Sequence, residues 1–186
     1  MEQEKRVALI TGANKGIGLE TARQLGKLGI VVLTGARDTG KAESAAKTLK
    51  DEGIDARALK LDVTSASDRD AAVKFIGKHF GRLDILVNNA GIMIEGGWDG
   101  NNSSTVAAQD LHQTFATNFF APVILTQALL PLLRKAPAAR IVNLSSILGS
   151  LGLHSDPKSP IYNSKAFGYN ASKTALNAFT IHLAHE

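Results

Sequence analysis

The sequence predicts an α/β fold: a doubly wound parallel sheet with helices on both faces, in a single domain. Three observations predict it. Short apolar runs alternate with longer stretches of helical period along the chain, the order of strand–helix–strand units. Most of these apolar runs are nearly continuous rather than alternating, as strands covered on both faces require. Glycines at 29, 53 and 81 fall near the ends of helical segments, where a left-handed cap costs glycine least.

Taken in order, strands are predicted at 7–11, 30–34, 56–62, 84–89 and 140–145. Helices are predicted at 18–28, 41–52, 66–80 and 111–133, with a last one from 166 to the C-terminal end. Right-handed crossovers between these units build an open sheet. Residues 93–104, rich in Gly and Asn, and 149–165, with Pro157, Pro160 and several serines, read as irregular.

Composition excludes several classes. A chain of 186 residues suits one domain, and one of this size buries roughly 70% of its unfolded surface. Hydrophobic residues at 44% and charged residues at 20% are ordinary for a globular protein. The absence of cysteine removes disulfide and thiolate chemistry. The net charge of +4 comes from scattered residues, with no basic block that would mark a nucleic-acid partner. No apolar run reads as the roughly 20 residues of a membrane span. The charged start and the short apolar stretch 7–10 do not make a signal peptide, and the expected location is cytoplasmic. His79, His112, His182 and His185 are scattered without ligand spacing, so no metal is expected.

The first strand runs into Thr11-Gly12-Ala13-Asn14-Lys15-Gly16-Ile17-Gly18 and then a helical pattern. A strand–turn–helix of this kind lets a phosphate approach the chain and offers it unpaired helix N–H groups. The alternative is a tight turn with no ligand. The spacing Gly-x-x-x-Gly-x-Gly after Thr resembles the short-chain dehydrogenase/reductase family, which implies a Rossmann-type nicotinamide cofactor domain. Cofactor contacts then fall to Gly12, Asn14, Lys15, Gly16, Ile17 and Gly18.

At the end of the second strand, an acid would accept from a ribose 2′-hydroxyl and a base would meet a 2′-phosphate. Here Arg37 offers a planar guanidinium and Lys15 a second positive charge. The pair resembles NADP-preferring members, so NADP(H) is preferred, with NAD(H) as the alternative. Asp38 is either a ribose acceptor or a helix N-cap. In the family, Asp62 and Val63 stand where an acid meets the adenine edge, although Asp62 also reads as a helix cap. Asn88-Asn89-Ala90-Gly91 closes the fourth strand, Asn88 as a structural residue and Asn89, Ala90 and Gly91 as lining of the cofactor cleft.

The strongest chemical signal is Tyr169-Asn170-Ala171-Ser172-Lys173. An i, i+4 spacing puts the phenol and ammonium on one helix face, where the cation lowers the tyrosine's pKa from ~10. By resemblance, Tyr169 and Lys173 are catalytic and also touch the cofactor. Ser146, rather than Ser145, is the substrate-orienting serine at the end of the fifth strand, and Asn118 holds a relay water. The 23 residues between Ser146 and Tyr169 exceed the family's usual spacing. The surplus, 149–165, reads as an insertion near the active site, a lid or substrate wall offering His154, Pro157 and Tyr162. Trp98 reads as a pocket cap or a buried anchor.

Together the motifs are most similar to the carbonyl-reductase-like group, which implies hydride transfer between NADP(H) and a small-molecule carbonyl or secondary alcohol. The rival readings are an NADP(H) sensor or scaffold without turnover, and an inactive fragment. The resemblance implies further strands and a substrate-binding segment after residue 186, so a C-terminally truncated chain is expected. It leaves open whether the protein is a homo-oligomer or a monomer. The natural substrate and preferred direction are not legible.

Overall fold

A computed structural model describes residues 5–96 and 102–186. Trp98 lies outside the described residues. The strands are β1 (Val7–Thr11), β2 (Val31–Ala36), β3 (Ala56–Lys60), β4 (Ile85–Asn88) and β5 (Arg140–Asn143). The helices are α1 (Gly16–Lys27), α2 (Thr39–Asp51), α3 (Ala66–Phe80), α4 (Ala108–Phe115), α5 (Ala121–Leu133), α6 (Leu151–Ser155) and α7 (Phe167–Leu183). A π turn, Ala116–Phe120, joins α4 to α5, and a 3-10 turn, Ile147–Gly149, precedes α6.

The five strands form one sheet in the order β3-β2-β1-β4-β5, the predicted doubly wound class. β1 pairs in parallel with β2 and with β4, and β2 with β3. One core layer gathers Ala8, Ile10, Val32, Ala56, Ile85 and Val87 of the strands with Ala22 of α1 and Ala46 and Leu49 of α2. The alternate positions Leu9, Leu33 and Leu86 are fully buried too, so both faces of the sheet are covered. That is why the strands read as continuous apolar runs.

Two compact units divide the chain: Met1–Ala90 with Ile124–Val142, and Gly91–Val123 with Asn143–Glu186. The first contains the sheet core with α1, α2 and α3. In the second, α7 packs against α4, the π turn and the 3-10 turn.

Several predicted boundaries are corrected. The second strand continues to Ala36, because its ladder with β3 runs on to the Ala36–Lys60 pair. The third strand stops at Lys60, since Asp62 donates its N–H to the Asp68 carboxylate (2.8 Å) instead of to a neighbour strand. The hydrogen-bonded Lys60 ammonium holds that Asp68 carboxyl below the usual carboxylate range. The fourth and fifth strands end earlier than predicted, at Asn88 and Asn143. The first helix begins at Gly16 rather than 18, and the second at Thr39, directly after its cap.

The single helix predicted at 111–133 starts at Ala108 and is interrupted by the π turn. Ala108–Leu133 is also, by length and composition alone, apolar enough to cross a membrane, which corrects the reading that no such run exists. Its Thr114, Asn118 and Thr126 are completely buried, and Thr126 accepts from the Asn88 amide (3.1 Å), the setting of a core helix. The stretch 149–165 is not wholly irregular, for it contains α6.

The lower ends of three strands meet at Asp84, which is buried. Its carboxylate accepts from Val7 N (2.8 Å), its N–H donates to Val7 O (3.0 Å), and its carbonyl accepts from Arg140 N (2.9 Å). Asp84→Ala should therefore cost about 1–3 kcal/mol, because a buried strand N–H loses its acceptor. Urea unfolding of the two proteins would measure it.

Candidate functional site

Within the first unit, the strand order reverses at β1, flanked by β2 and β4, and the loops leaving these strands form a cradle. Thr11 closes the cradle's floor. Its hydroxyl accepts from the N–H of Asn89 and of Ala90 (both 3.0 Å), while the Asn89 amide donates to Thr11 O (2.7 Å) and Gly12 O (3.2 Å). Asn89 thereby ties the end of β4 to the turn after β1.

The turn's glycines are required by geometry. Gly12 has φ +65, and a Cβ there would meet Ala90 Cα at 3.0 Å. At Gly18 a Cβ would lie 2.7 Å from Gly12 O and 3.0 Å from Ala13 Cα, so a side chain has no room. Ala13 N donates to Gly35 O (2.9 Å), which brings the turn beside the end of β2. Gly16 and Ile17 open α1 and are exposed, Asn14 is half-buried, and the N-cap Lys15 supplies no side-chain cap. With no acid in its first turn, α1 presents a positive end suited to an anion.

Arg37 and Lys15 are exposed and form no ion pair among the described residues. Asp38 is the N-cap of α2, its carboxylate accepting from Lys41 N (2.8 Å). Asp62 accepts from Thr64 N (2.9 Å) and Thr64 Oγ1 (2.7 Å), and Ser65 rather than Asp62 caps α3. Val63 is buried beside it.

The second unit holds Gly91, Asn118, Ser146, Tyr169 and Lys173. Gly91 is exposed. Tyr169 and Lys173 lie in the first two turns of α7, and the ammonium stands 5.6 Å from the centre of the phenol ring. Lys173 is 4% exposed and donates to Leu144 O (2.7 Å). Burial pushes its ammonium pKa down from the ordinary lysine value.

Asn118 sits completely buried in the π turn, a feature frequent at functional sites. Its side chain accepts from Ile92 N (2.8 Å) and donates to Ile92 O (2.8 Å) and Ser172 Oγ (3.1 Å). Ser172 in turn donates to Tyr169 O (2.7 Å), which links Asn118 to the tyrosine backbone.

Ser146 is half-buried, and its Oγ accepts from Leu148 N (3.2 Å) as cap of the 3-10 turn. Ser145 points its hydroxyl toward Lys173 O (3.5 Å). Gly149 lets this loop touch α7, for a Cβ there would stand 2.9 Å from the carbonyl carbon of Lys173. His154 is half-buried and bonds Leu148 O through Nε2 (3.0 Å). Tyr162 is exposed, under the Lys165 ammonium. Among the described residues no group of three or more His, Asp or Glu could hold a metal ion.

Sequence reasoning missed Thr11, Ser172, the Leu144 carbonyl and Glu95, whose carboxylate accepts from Tyr169 N (2.8 Å) and Gly168 N (3.1 Å). Glu95 had one available signal, a lone acid closing the apolar stretch that follows Gly91.

The family model described as short chain dehydrogenase matches residues 6–186. The chain belongs to the short-chain dehydrogenase family. Among relatives of this short-chain dehydrogenase, (-)-isopiperitenone reductase of Mentha piperita is 36% identical over 187 residues, 81% of this chain and 60% of that protein. The 3-oxoacyl-(acyl-carrier-protein) reductase of Pseudomonas aeruginosa is 35% identical over 186 residues, 100% of this chain and 69% of that protein. A solved metagenomic short-chain oxidoreductase in complex with NADP superposes with TM-score 0.79 at 32% identity, covering 97% of this chain and 75% of that one. A short-chain dehydrogenase from Streptomyces avermitilis gives 0.81 at 29% identity, covering 99% and 61%. The chain thus spans between about three fifths and three quarters of the length of these four relatives.

The buried Lys173 of this short-chain dehydrogenase makes a pH prediction. The unfolded chain holds the lysine proton more tightly than the folded one, so unfolding takes up a proton between the lowered pKa and the ordinary lysine value. Raising the pH through that window therefore adds stability. Lys173→Met should lose this rise, as urea melts of both proteins at neutral and alkaline pH would record.

Proposed function

We propose that this chain is an NADP(H)-dependent oxidoreductase of carbonyl reductase type, exchanging hydride with a small-molecule carbonyl or secondary alcohol. The observation that carries the reading is the Tyr169–Lys173 pair of α7, a half-buried phenol beside a buried ammonium. The cofactor's demands fit the cradle: glycines where a side chain would block close approach, an uncapped helix N-terminus, and two exposed cations.

Gly12, Asn14, Gly16, Ile17 and Gly18 would hold the pyrophosphate half, and Asn89, Ala90 and Gly91 the ribose side. Asp62 and Val63 would border the adenine. Arg37 and Lys15 would meet a 2′-phosphate, whereas Asp38, whose Oδ1 caps α2, would accept from a ribose 2′-hydroxyl in the NAD(H) alternative. The NADP held by the metagenomic relative supports the same choice.

A bound nicotinamide would supply or receive the hydride. Tyr169 gives its phenolic proton to the carbonyl oxygen in reduction and takes it back in oxidation, as general acid and base. Lys173 places a buried positive charge beside the phenol. Ser146 donates to the oxygen as negative charge grows on it, a contact that strengthens toward the transition state. Asn118, through the π turn, keeps backbone groups in place for the water that returns the proton to Tyr169.

Tyr169→Phe should abolish NADPH oxidation with a panel of aldehydes and ketones while NADPH still binds, as followed by its fluorescence. A protein without activity before the substitution would favour a non-catalytic nucleotide-binding role, and full activity after it would overturn the assignment of Tyr169 as the acid–base group. For cofactor choice, Arg37→Ala should raise the KM for NADPH about tenfold or more, the loss expected of a charge-assisted contact, and leave that for NADH nearly unchanged.

A further inference from the structure

The first turn of α7 begins without a cap of its own. Its N-cap is Ala166, which has no side-chain acceptor, and its first turn contains no acid. Helix N–H groups at such an end need acceptors from elsewhere. Glu95, more than seventy residues away in sequence, supplies both: Oε2 takes Gly168 N and Oε1 takes Tyr169 N, at 3.1 and 2.8 Å. This carboxylate is 1% exposed, fully withdrawn from water, and the mechanism above gives it no task.

The fit is specific. A Cβ at residue 168 would overlap the Glu95 carboxylate, so Gly168 is the residue that admits it. The same tyrosine is gripped on its other side, where its carbonyl accepts from Ser172, which Asn118 holds in turn. Asn118 also bonds both backbone groups of Ile92, three residues before Glu95. The 92–95 segment and the start of α7 therefore form one hydrogen-bonded frame around the backbone of Tyr169. The phenol hangs from that backbone by two torsions, a staggered χ1 and a roughly two-fold χ2, so its place follows the frame.

We propose that Glu95 is a positioning residue for the acid–base tyrosine, fixing Tyr169 relative to Lys173 by holding the amide groups of residues 168 and 169. The proposal rests on the reading of Tyr169 given above.

The test uses the full chain with Glu95→Gln, Gly168→Ala and the double variant, with Tyr169→Phe alongside. Glu95→Gln keeps the size but turns an amide NH2 toward one of the two N–H groups, and Gly168→Ala displaces the carboxylate without removing it. Each single variant should lower kcat by about 10- to 100-fold, the effect of a small misplacement of a reacting group. NADPH affinity measured by fluorescence should stay within about twofold, and the kcat–pH profile should be displaced.

Because both substitutions undo one contact, the double variant should lose no more than the worse single one. Should Glu95→Gln fail to fold, Gly168→Ala carries the same readouts. Variants with lowered melting temperature but unchanged kcat and unchanged pH profile would overturn the proposal, as would strictly multiplicative losses in the double variant. Those results together with an inactive Tyr169→Phe would leave the proposed function standing. An active Tyr169→Phe would overturn both.

Discussion

A parallel sheet that winds both ways from a central strand must part its loops where the order turns, and in this chain that place is the upper end of β1. Two residues of the first unit tie the two sides of that gap together. The Thr11 hydroxyl satisfies two N–H groups of the loop after β4, and the Asn89 amide returns two bonds to the β1 side. Buried backbone groups that would otherwise be stranded by the diverging strands are thus paired. The cradle keeps its shape through side chains of two residues, and the glycines keep it empty.

The second unit solves a different problem, the housing of a cation away from water. Burying an ammonium is costly unless it is hydrogen-bonded, and Lys173 meets that cost through the carbonyl of Leu144. The arrangement works because β5 ends at Asn143, releasing the next carbonyl from the sheet ladder. Gly149 then lets the loop lie against the backbone of α7. Strand end, loop and helix meet at this lysine.

Much of this was legible in the chain itself, for reasons that differ by residue. Strands covered on both faces leave unbroken apolar runs, so β1, β2 and β4 could be located to within a residue or two. Gly12 and Gly18 were legible because backbone conformation and close approach exclude other residues there. Tyr169 and Lys173 were legible because helical periodicity alone brings them together. What could not be read depends on contacts distant in sequence. Glu95 offers locally only a lone acid after an apolar stretch, and nothing marks Ser172 as more than an ordinary hydroxyl. Asp38 and Asp62 were ambiguous because a carboxylate at a strand end suits a cap and a ligand equally. In the structure Asp38 accepts from Lys41 and Asp62 from Thr64, bonds that leave each carboxylate further lone pairs. The π turn was hidden because Ala116–Phe120 contains no glycine or proline to interrupt the helical stretch between α4 and α5.

Two of the candidate catalytic side chains share a kind of partner. Lys173 donates to the carbonyl of Leu144, and the two bonds of Asn118 to Ile92 run to its N–H and carbonyl. These are main-chain atoms, which nearly every amino acid carries. Positions 92 and 144 can therefore drift in side-chain identity without unfastening the groups they secure, whereas a proline at 92 removes a donor that no side chain replaces. Such wiring leaves the neighbourhood free to vary its apolar lining, and so the shape offered to a substrate, at little risk to the chemistry it surrounds.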